Sequence, residues 1–123
     1  MRVLAYALPL AFLASLAAPA AAQQANQDFT LNNRTGYEIK EVYVSPASAS
    51  DWESDVLGTG TLGNGNGANI HFNAKTATCN WDLKVVYTDD GSSAVWSGIN
   101  LCQVAKITIK YDRQSDTTSA TFE

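Results

Sequence analysis

From residue 29 onward, apolar residues recur at every second position through most of the chain, the period of a β-strand with one buried face. Phe29 and Leu31 alternate with polar neighbours, and Asn32-Asn33-Arg34-Thr35-Gly36 then reads as a turn. The run 37–44 changes phase: Tyr37 and Ile39 share one parity, Val42 and Val44 the other. A β-bulge near Lys40-Glu41 would return both pairs to the core face. Ile70 and Phe72 mark a third strand, and Trp81, Leu83, Val85 and Tyr87 form an alternating stripe. Thr88-Asp89-Asp90-Gly91-Ser92 is a hairpin signal, followed by a return strand through Ala94 and Trp96 to Cys102. Ile107, Ile109 and Tyr111, then Ala120 and Phe122, complete about seven short strands. The pattern predicts an all-β fold, an antiparallel β-sandwich, with a small open barrel as the alternative. One short helix is expected, because Ser50-Asp51-Trp52-Glu53 has the S-x-x-E form of a capping box and Gly58 can stop it.

The first 22 residues depart from this pattern. Arg2 precedes an apolar run from 3 to 16, and Ala20-Ala21-Ala22 closes it with small residues. That order is the n-region, h-region and A-x-A site of a secretory signal peptide, cleaved between Ala22 and Gln23. The apolar run is shorter than the ~20 residues a membrane span needs. The expected mature chain is therefore a single domain, 23–123, periplasmic or secreted and not inserted in the membrane. The whole chain carries a formal charge of -4, and loss of Arg2 leaves 7 Lys+Arg against 12 Asp+Glu, or -5. An acidic domain without a basic cluster is unsuited to neutralising phosphates, which argues against nucleic acid as a partner.

Two cysteines in an exported chain read as a disulfide, Cys79 with Cys102. The loop it closes has 24 residues counting both ends, for which the chain-entropy relation gives roughly 3.5 kcal/mol. The bond should tie off the open end of the hairpin around Asp89-Asp90-Gly91, a structural role. A redox pair would need close C-x-x-C spacing, and two cysteines with the lone His71 fall short of a zinc site.

The chemistry-bearing motifs are weak. Gly58-Thr59-Gly60-Thr61-Leu62-Gly63 matches G-x-G-x-x-G in letters, but no strand leads into it and a strand, not a helix, follows. It reads as part of a Gly/Asn-rich connection. Asp51, Glu53, Asp55, Asp89 and Asp90 are candidate calcium ligands if the loops bring them together; the plainer reading is that they make turns and a helix start. No catalytic residue is assigned. His71 sits on the solvent-side parity of its strand, and no nucleophile-elbow sequence is present. A glycosidase-like carboxylate pair is the remaining enzymatic alternative. Trp52, on the short helix after Tyr43-Val44-Ser45-Pro46, is with Tyr43 the candidate contact for an extracytoplasmic protein or glycan; capping one end of the sandwich is its plainer role. Asn33-Arg34-Thr35 is formally a glycosylation sequon, without weight in a bacterial-type exported chain.

The series Phe29-Thr30-Leu31-Asn32-Asn33-Arg34-Thr35-Gly36, Tyr43-Val44-Ser45-Pro46, Trp52 with Asp55 and Leu57-Gly58, Cys79 with Asp82-Leu83, Asp90-Gly91, Trp96 and Asn100-Leu101-Cys102 resembles a group of small exported bacterial β-domain proteins of uncharacterised function. The resemblance spans nearly all of 23–123 and implies a compact β domain with no catalytic residues to carry over. Some short proteins of this kind carry an inherited argininosuccinate lyase name. That enzyme type is a large helical tetramer, and a short, β-rich, exported chain supplies none of its active site. The expected function is a non-catalytic binding or accessory domain, with a calcium-stabilised domain and a small acidic-pair hydrolase as alternatives.

Overall fold

The computed structural model describes residues 28–71 and 78–123. The expected leader, 1–22, and Phe72, expected on the third strand, lie outside these residues. Seven strands form two sheets: β1 (Asp28–Arg34), β2 (Ile39–Pro46), β3 (Gly67–His71), β4 (Asn80–Tyr87), β5 (Ser93–Asn100), β6 (Lys106–Asp112) and β7 (Thr117–Phe122). The four-stranded sheet has the order β3-β1-β6-β7 and the three-stranded sheet β2-β4-β5. Alternation does what the sequence pattern requires. Phe29, Leu31, Ile70, Ile107 and Ile109 from the first sheet and Ile39, Val42, Val44, Trp81, Leu83 and Val85 from the second are buried in one cluster. Their transfer out of water is the main stabilising contribution.

The phase change in β2 is a bulge, as its parity predicts: the register with β4 shifts between Ile39 and Glu41, so Ile39, Val42 and Val44 all face the core. A second irregularity sets Ser97 and Gly98 opposite Asp82, between the Trp81–Ile99 and Leu83–Trp96 pairs. Gly98 takes φ +71° there and donates its N–H to Asp82 Oδ1 at 3.0 Å. A positive φ of this kind is cheap only for glycine.

Three expectations change. The sheets are not wholly antiparallel, because β1 and β6 pair in parallel, Thr30 with Lys106 through Arg34 with Lys110. The β4–β5 hairpin returns the chain to the end where β1 begins, so β6 starts beside β1 and runs with it. The short helix does not form among the described residues: 52–55 has no regular structure and 56–59 is a turn. Its polar groups have better partners along β2. Ser45 Oγ donates to the Asp51 carbonyl at 3.0 Å, and Asp55 Oδ1 accepts from the N–H groups of Val42 (2.8 Å) and Leu57 (3.0 Å). Val56 N–H donates to the Val42 carbonyl at 2.8 Å, and Ile39 and Leu62 exchange both backbone bonds. The segment thereby covers the outer edge of β2, which would otherwise present unpaired N–H and C=O groups. Tyr37, finally, precedes β2 and is only half-buried.

The chain direction sorts the connections into two ends. At one end lie the start of β1, the end of β3 and the disulfide Cys79–Cys102, with Cα atoms 5.2 Å apart. The bond sits just outside the Asn80–Asn100 pair, and Leu101 N–H donates to the Cys79 carbonyl at 2.9 Å, so it closes the open end of the β4–β5 hairpin as expected. At the other end gather the β1–β2 turn, the 58–67 connection and the tips of the β4–β5 and β6–β7 hairpins. Glu38 ties three of them together: its carboxylate accepts from Thr61 Oγ1 (3.2 Å) and Thr88 Oγ1 (2.8 Å), and its carbonyl from Thr88 N–H (3.0 Å). No helix among the described residues is long and apolar enough to cross a membrane.

Candidate functional site

The sequence-derived ligand contacts, Trp52 and Tyr43, do come together. Their ring centroids are 6.5 Å apart on the outer face of the three-stranded sheet. Lys84, the cross-strand neighbour of Tyr43, lies with Nζ 5.7 Å from the Tyr43 centroid and 5.9 Å from that of Trp52. The Tyr43 hydroxyl donates to Glu41 Oε1 at 2.9 Å, and this bond, more than burial, raises its pKa above the ordinary tyrosine value. A cation already lies over both rings and the hydroxyl is already engaged. The cluster therefore behaves as a cover over the outer face of the sheet, with exposed Val95 beside Lys84 as its apolar neighbour.

Four of the five carboxylates of the calcium reading fall in two places, and Asp55 lies apart from both, against Val42. Asp51 and Glu53 lie near Ser45, towards the Pro46 end of β2. Asp89 and Asp90 lie beyond Tyr87, which pairs with Ile39 at the other end. Six residues of strand separate the two groups, about 20 Å at ~3.3 Å per residue. Asp55 is occupied by two backbone N–H groups. No group of three or more His, Cys, Asp or Glu side chains is placed to hold a metal among the described residues. His71 is exposed at the disulfide end, 2.6 Å from Asp28.

A concave feature lies at the loop end. A cleft of about 410 Å³ opens between the two hairpin tips, lined by the rings of Tyr37, Tyr87 and Tyr111 and by Asp89, Asp90 and Asp116. Ser92, Ser93 and Thr118 complete its wall. Its volume is within the range of small-ligand sites. Each wall is built locally by turn chemistry. Gly91 takes φ +72° at one tip, where Asp90 Oδ1 accepts from Ser92 N–H (2.9 Å) and Ser92 Oγ (2.7 Å). The Ser92 bonds hold the Asp90 carboxyl below the usual aspartate range. At the other tip Asp112 Oδ1 accepts from Gln114 N–H, and Asp116 sits at φ 52°, a conformation Asp tolerates better than most residues.

The tyrosines come from three elements. Tyr87 ends β4 on the core-facing stripe, Tyr111 lies near the end of β6, and Tyr37 stands in the β1–β2 turn. Tyr37 and Tyr111 meet edge to face, centroids 5.8 Å apart at 63°. The Tyr111 hydroxyl donates to Asp116 Oδ1 at 2.8 Å, which raises its pKa. Tyr87 is raised by burial, and its phenolic oxygen is buried with no hydrogen-bond partner among the described residues. Arg113, from the β6–β7 tip, places its guanidinium 5.4 Å from the Tyr37 centroid.

Of these residues, sequence reasoning singled out Asp89 and Asp90 alone. Tyr37, Tyr87 and Tyr111 were visible only as the last or first members of apolar stripes. The available signal was positional: each is the polar-tipped aromatic at the strand end nearest a turn. It becomes a site only when the parallel β1–β6 pairing brings the β6–β7 tip alongside the β1–β2 turn. Comparison with protein-family models, curated proteins and solved structures finds no match for this chain.

Proposed function

We propose that this chain is an exported, non-catalytic β-sandwich binding domain, and that the cleft between the hairpin tips is where it holds a ligand or an extracytoplasmic partner. The observation that carries this reading is the gathering of three connections, the β1–β2 turn and the two hairpin tips, around a concave, tyrosine-lined space, with the disulfide at the opposite end. Rigid strands that position loops at one end are a general way of presenting a binding surface. Export is supported by the tripartite leader and by the disulfide, a bond that persists in oxidising compartments. The resemblance to small exported bacterial β-domains points the same way.

One observation favours the hydrolase alternative: carboxylates from both tips, Asp89 and Asp90 on one side and Asp116 on the other, line the same cleft. A general acid needs a carboxyl pushed up towards neutrality. Asp90 is shifted down, and Asp116 Oδ1 is already occupied by the Tyr111 hydroxyl. The binding reading is therefore preferred.

The test is a ligand screen by amide NMR on the disulfide-bonded chain, using glycans, peptides, amines and organic acids. Saturable shifts confined to the 88–92 and 113–116 tips support the reading. Ligand-induced shifts elsewhere with none at the tips, or robust turnover of a glycoside lost in Asp116→Asn, would overturn it.

A further inference from the structure

We propose that the cleft is built for an organic cation, an ammonium or guanidinium on an apolar body, seated against the Tyr37 and Tyr111 rings with the tip carboxylates around it. The inference rests on the reading of the cleft as the binding site and narrows it to one ligand chemistry.

Three observations carry it. The first is charge: Asp89, Asp90 and Asp116 line the cleft and no Lys, Arg or His does, among the described residues. Like charges raise the local potential together, and a concave wall of low dielectric concentrates it. An anion is repelled here, and a neutral sugar gains nothing from the charge itself. The second is ring geometry. Tyr37 and Tyr111 meet at 63° and so form a corner of two aromatic surfaces, the kind of wall that attracts a cation to its faces. The third is that a cation already uses this chemistry beside the cleft. The Arg113 guanidinium packs over Tyr37 at 5.4 Å, from the tip that also supplies Asp116. Arg113 is thus an internal counterpart of the ligand, and it competes for the Tyr37 surface.

The carboxylates are held ready for this role. Asp116 is fixed by the Tyr111 hydroxyl, and Asp90 by two bonds from Ser92 through one oxygen. Acceptors that are oriented before binding lose little freedom when a ligand arrives. The apolar body of the ligand is accommodated by the Tyr87 ring, which ends the core stripe.

The probes are n-hexylammonium and its neutral counterpart n-hexanol, titrated into the full disulfide-bonded chain while the Gly91 and Asp116 amide signals are followed. Saturable hexylammonium shifts at both tips are expected, with hexanol weaker by roughly tenfold or more, the factor that corresponds to 1.4 kcal/mol. Asp116→Asn, which keeps a side chain that tolerates the left-handed backbone, should weaken hexylammonium by about the same factor. Arg113→Ala should strengthen it, because the competing cation is gone. A lysine-bearing peptide in a parallel titration distinguishes a protein side chain from a free amine as the source of the cation. Equal affinity for hexanol, weaker binding in Arg113→Ala, or hexylammonium shifts at Tyr43 and Lys84 in place of the tips would overturn the inference. A neutral glycan that binds at the tips while hexylammonium does not would overturn the cation and leave the binding cleft standing. Tip signals that respond to none of the probes would remove both.

Discussion

Asn33 shows how much one side chain can settle. It is fully buried, and every polar atom of its amide is used. Nδ2 donates to the Tyr37 carbonyl (2.7 Å) and the Leu62 carbonyl (2.9 Å), while Oδ1 accepts from Thr35 N–H (3.1 Å) and Thr35 Oγ1 (2.7 Å). One residue thus ties the end of β1 to its turn and to the strap along β2. The sequon that contains it is a packing element, not a modification site. Asn33→Ala leaves the buried Thr35 N–H without its acceptor and takes one of two partners from the Leu62 and Tyr37 carbonyls, and the expected loss is about 2–4 kcal/mol of stability in urea unfolding. A loss below about 0.5 kcal/mol, the size of an ordinary surface change, would refute this account of the amide. Tyr87 predicts the opposite sign. Its oxygen is buried without a partner among the described residues, so Tyr87→Phe should match or exceed the parent by up to about 1 kcal/mol. The same burial favours the protonated phenol in the fold. Its contribution is intact below about pH 10, where the unfolded tyrosine is neutral, and is lost as pH rises towards the higher folded-state value. Stability measured from pH 9 upward should therefore fall less steeply in Tyr87→Phe, and a parallel decline in both proteins would place the titrating group elsewhere.

At the scale of elements, the strap along β2 makes the sharpest prediction. Asp55 accepts from Val42 and Leu57, and Val56 and Leu62 add backbone bonds to the same edge. Asp55→Ala should cost about 1–3 kcal/mol through two abandoned N–H groups. It should also speed hydrogen exchange at Val42 and promote association through the uncovered edge. Asp55→Asn keeps the Oδ1 acceptor and should recover most of the loss. Unchanged Val42 exchange in Asp55→Ala would mean that the strap holds without it. These particulars also show what sequence can and cannot tell. The β2 bulge was legible because a parity change between Ile39 and Val42 has one economical solution. The hairpin at Asp89-Asp90-Gly91 was legible because its turn chemistry is local. The helix was misread because a capping box describes only what a segment does alone. Here Ser45 and Val42 offer the same groups tertiary partners, and two short helical turns have little cooperative stability with which to compete. The parallel β1–β6 pairing left no trace in periodicity, since a buried face alternates identically whichever way its neighbour runs.

The whole molecule divides its tasks by end. The staple Cys79–Cys102 lies outside one end of the β4–β5 hairpin, and the tip that lines the cleft lies at the other, eight residues of β4 away. At ~3.3 Å per residue that is about 25 Å. Sequence located the staple correctly, because two cysteines flanking one hairpin leave a single pairing. It left the cleft unseen, because Tyr37, Tyr87 and Tyr111 are scattered through the chain and meet only through the topology. The separation of ends predicts a separation of effects. Reduction releases a 24-residue loop in the unfolded chain, and the expected loss is about 3.5 kcal/mol. For a domain of this size that lowers the melting temperature by about 15–25 °C. Below the lowered transition, the strands still position the loop end, so the amide signals of Gly91 and Asp116 should keep their positions and the cleft its affinity for hexylammonium. Both are measured on one sample, by thermal melts and NMR titrations with and without reductant. If affinity collapsed at a temperature where the reduced chain is still folded, the staple would be acting on the cleft directly, and the two ends would be coupled through the hairpin that joins them.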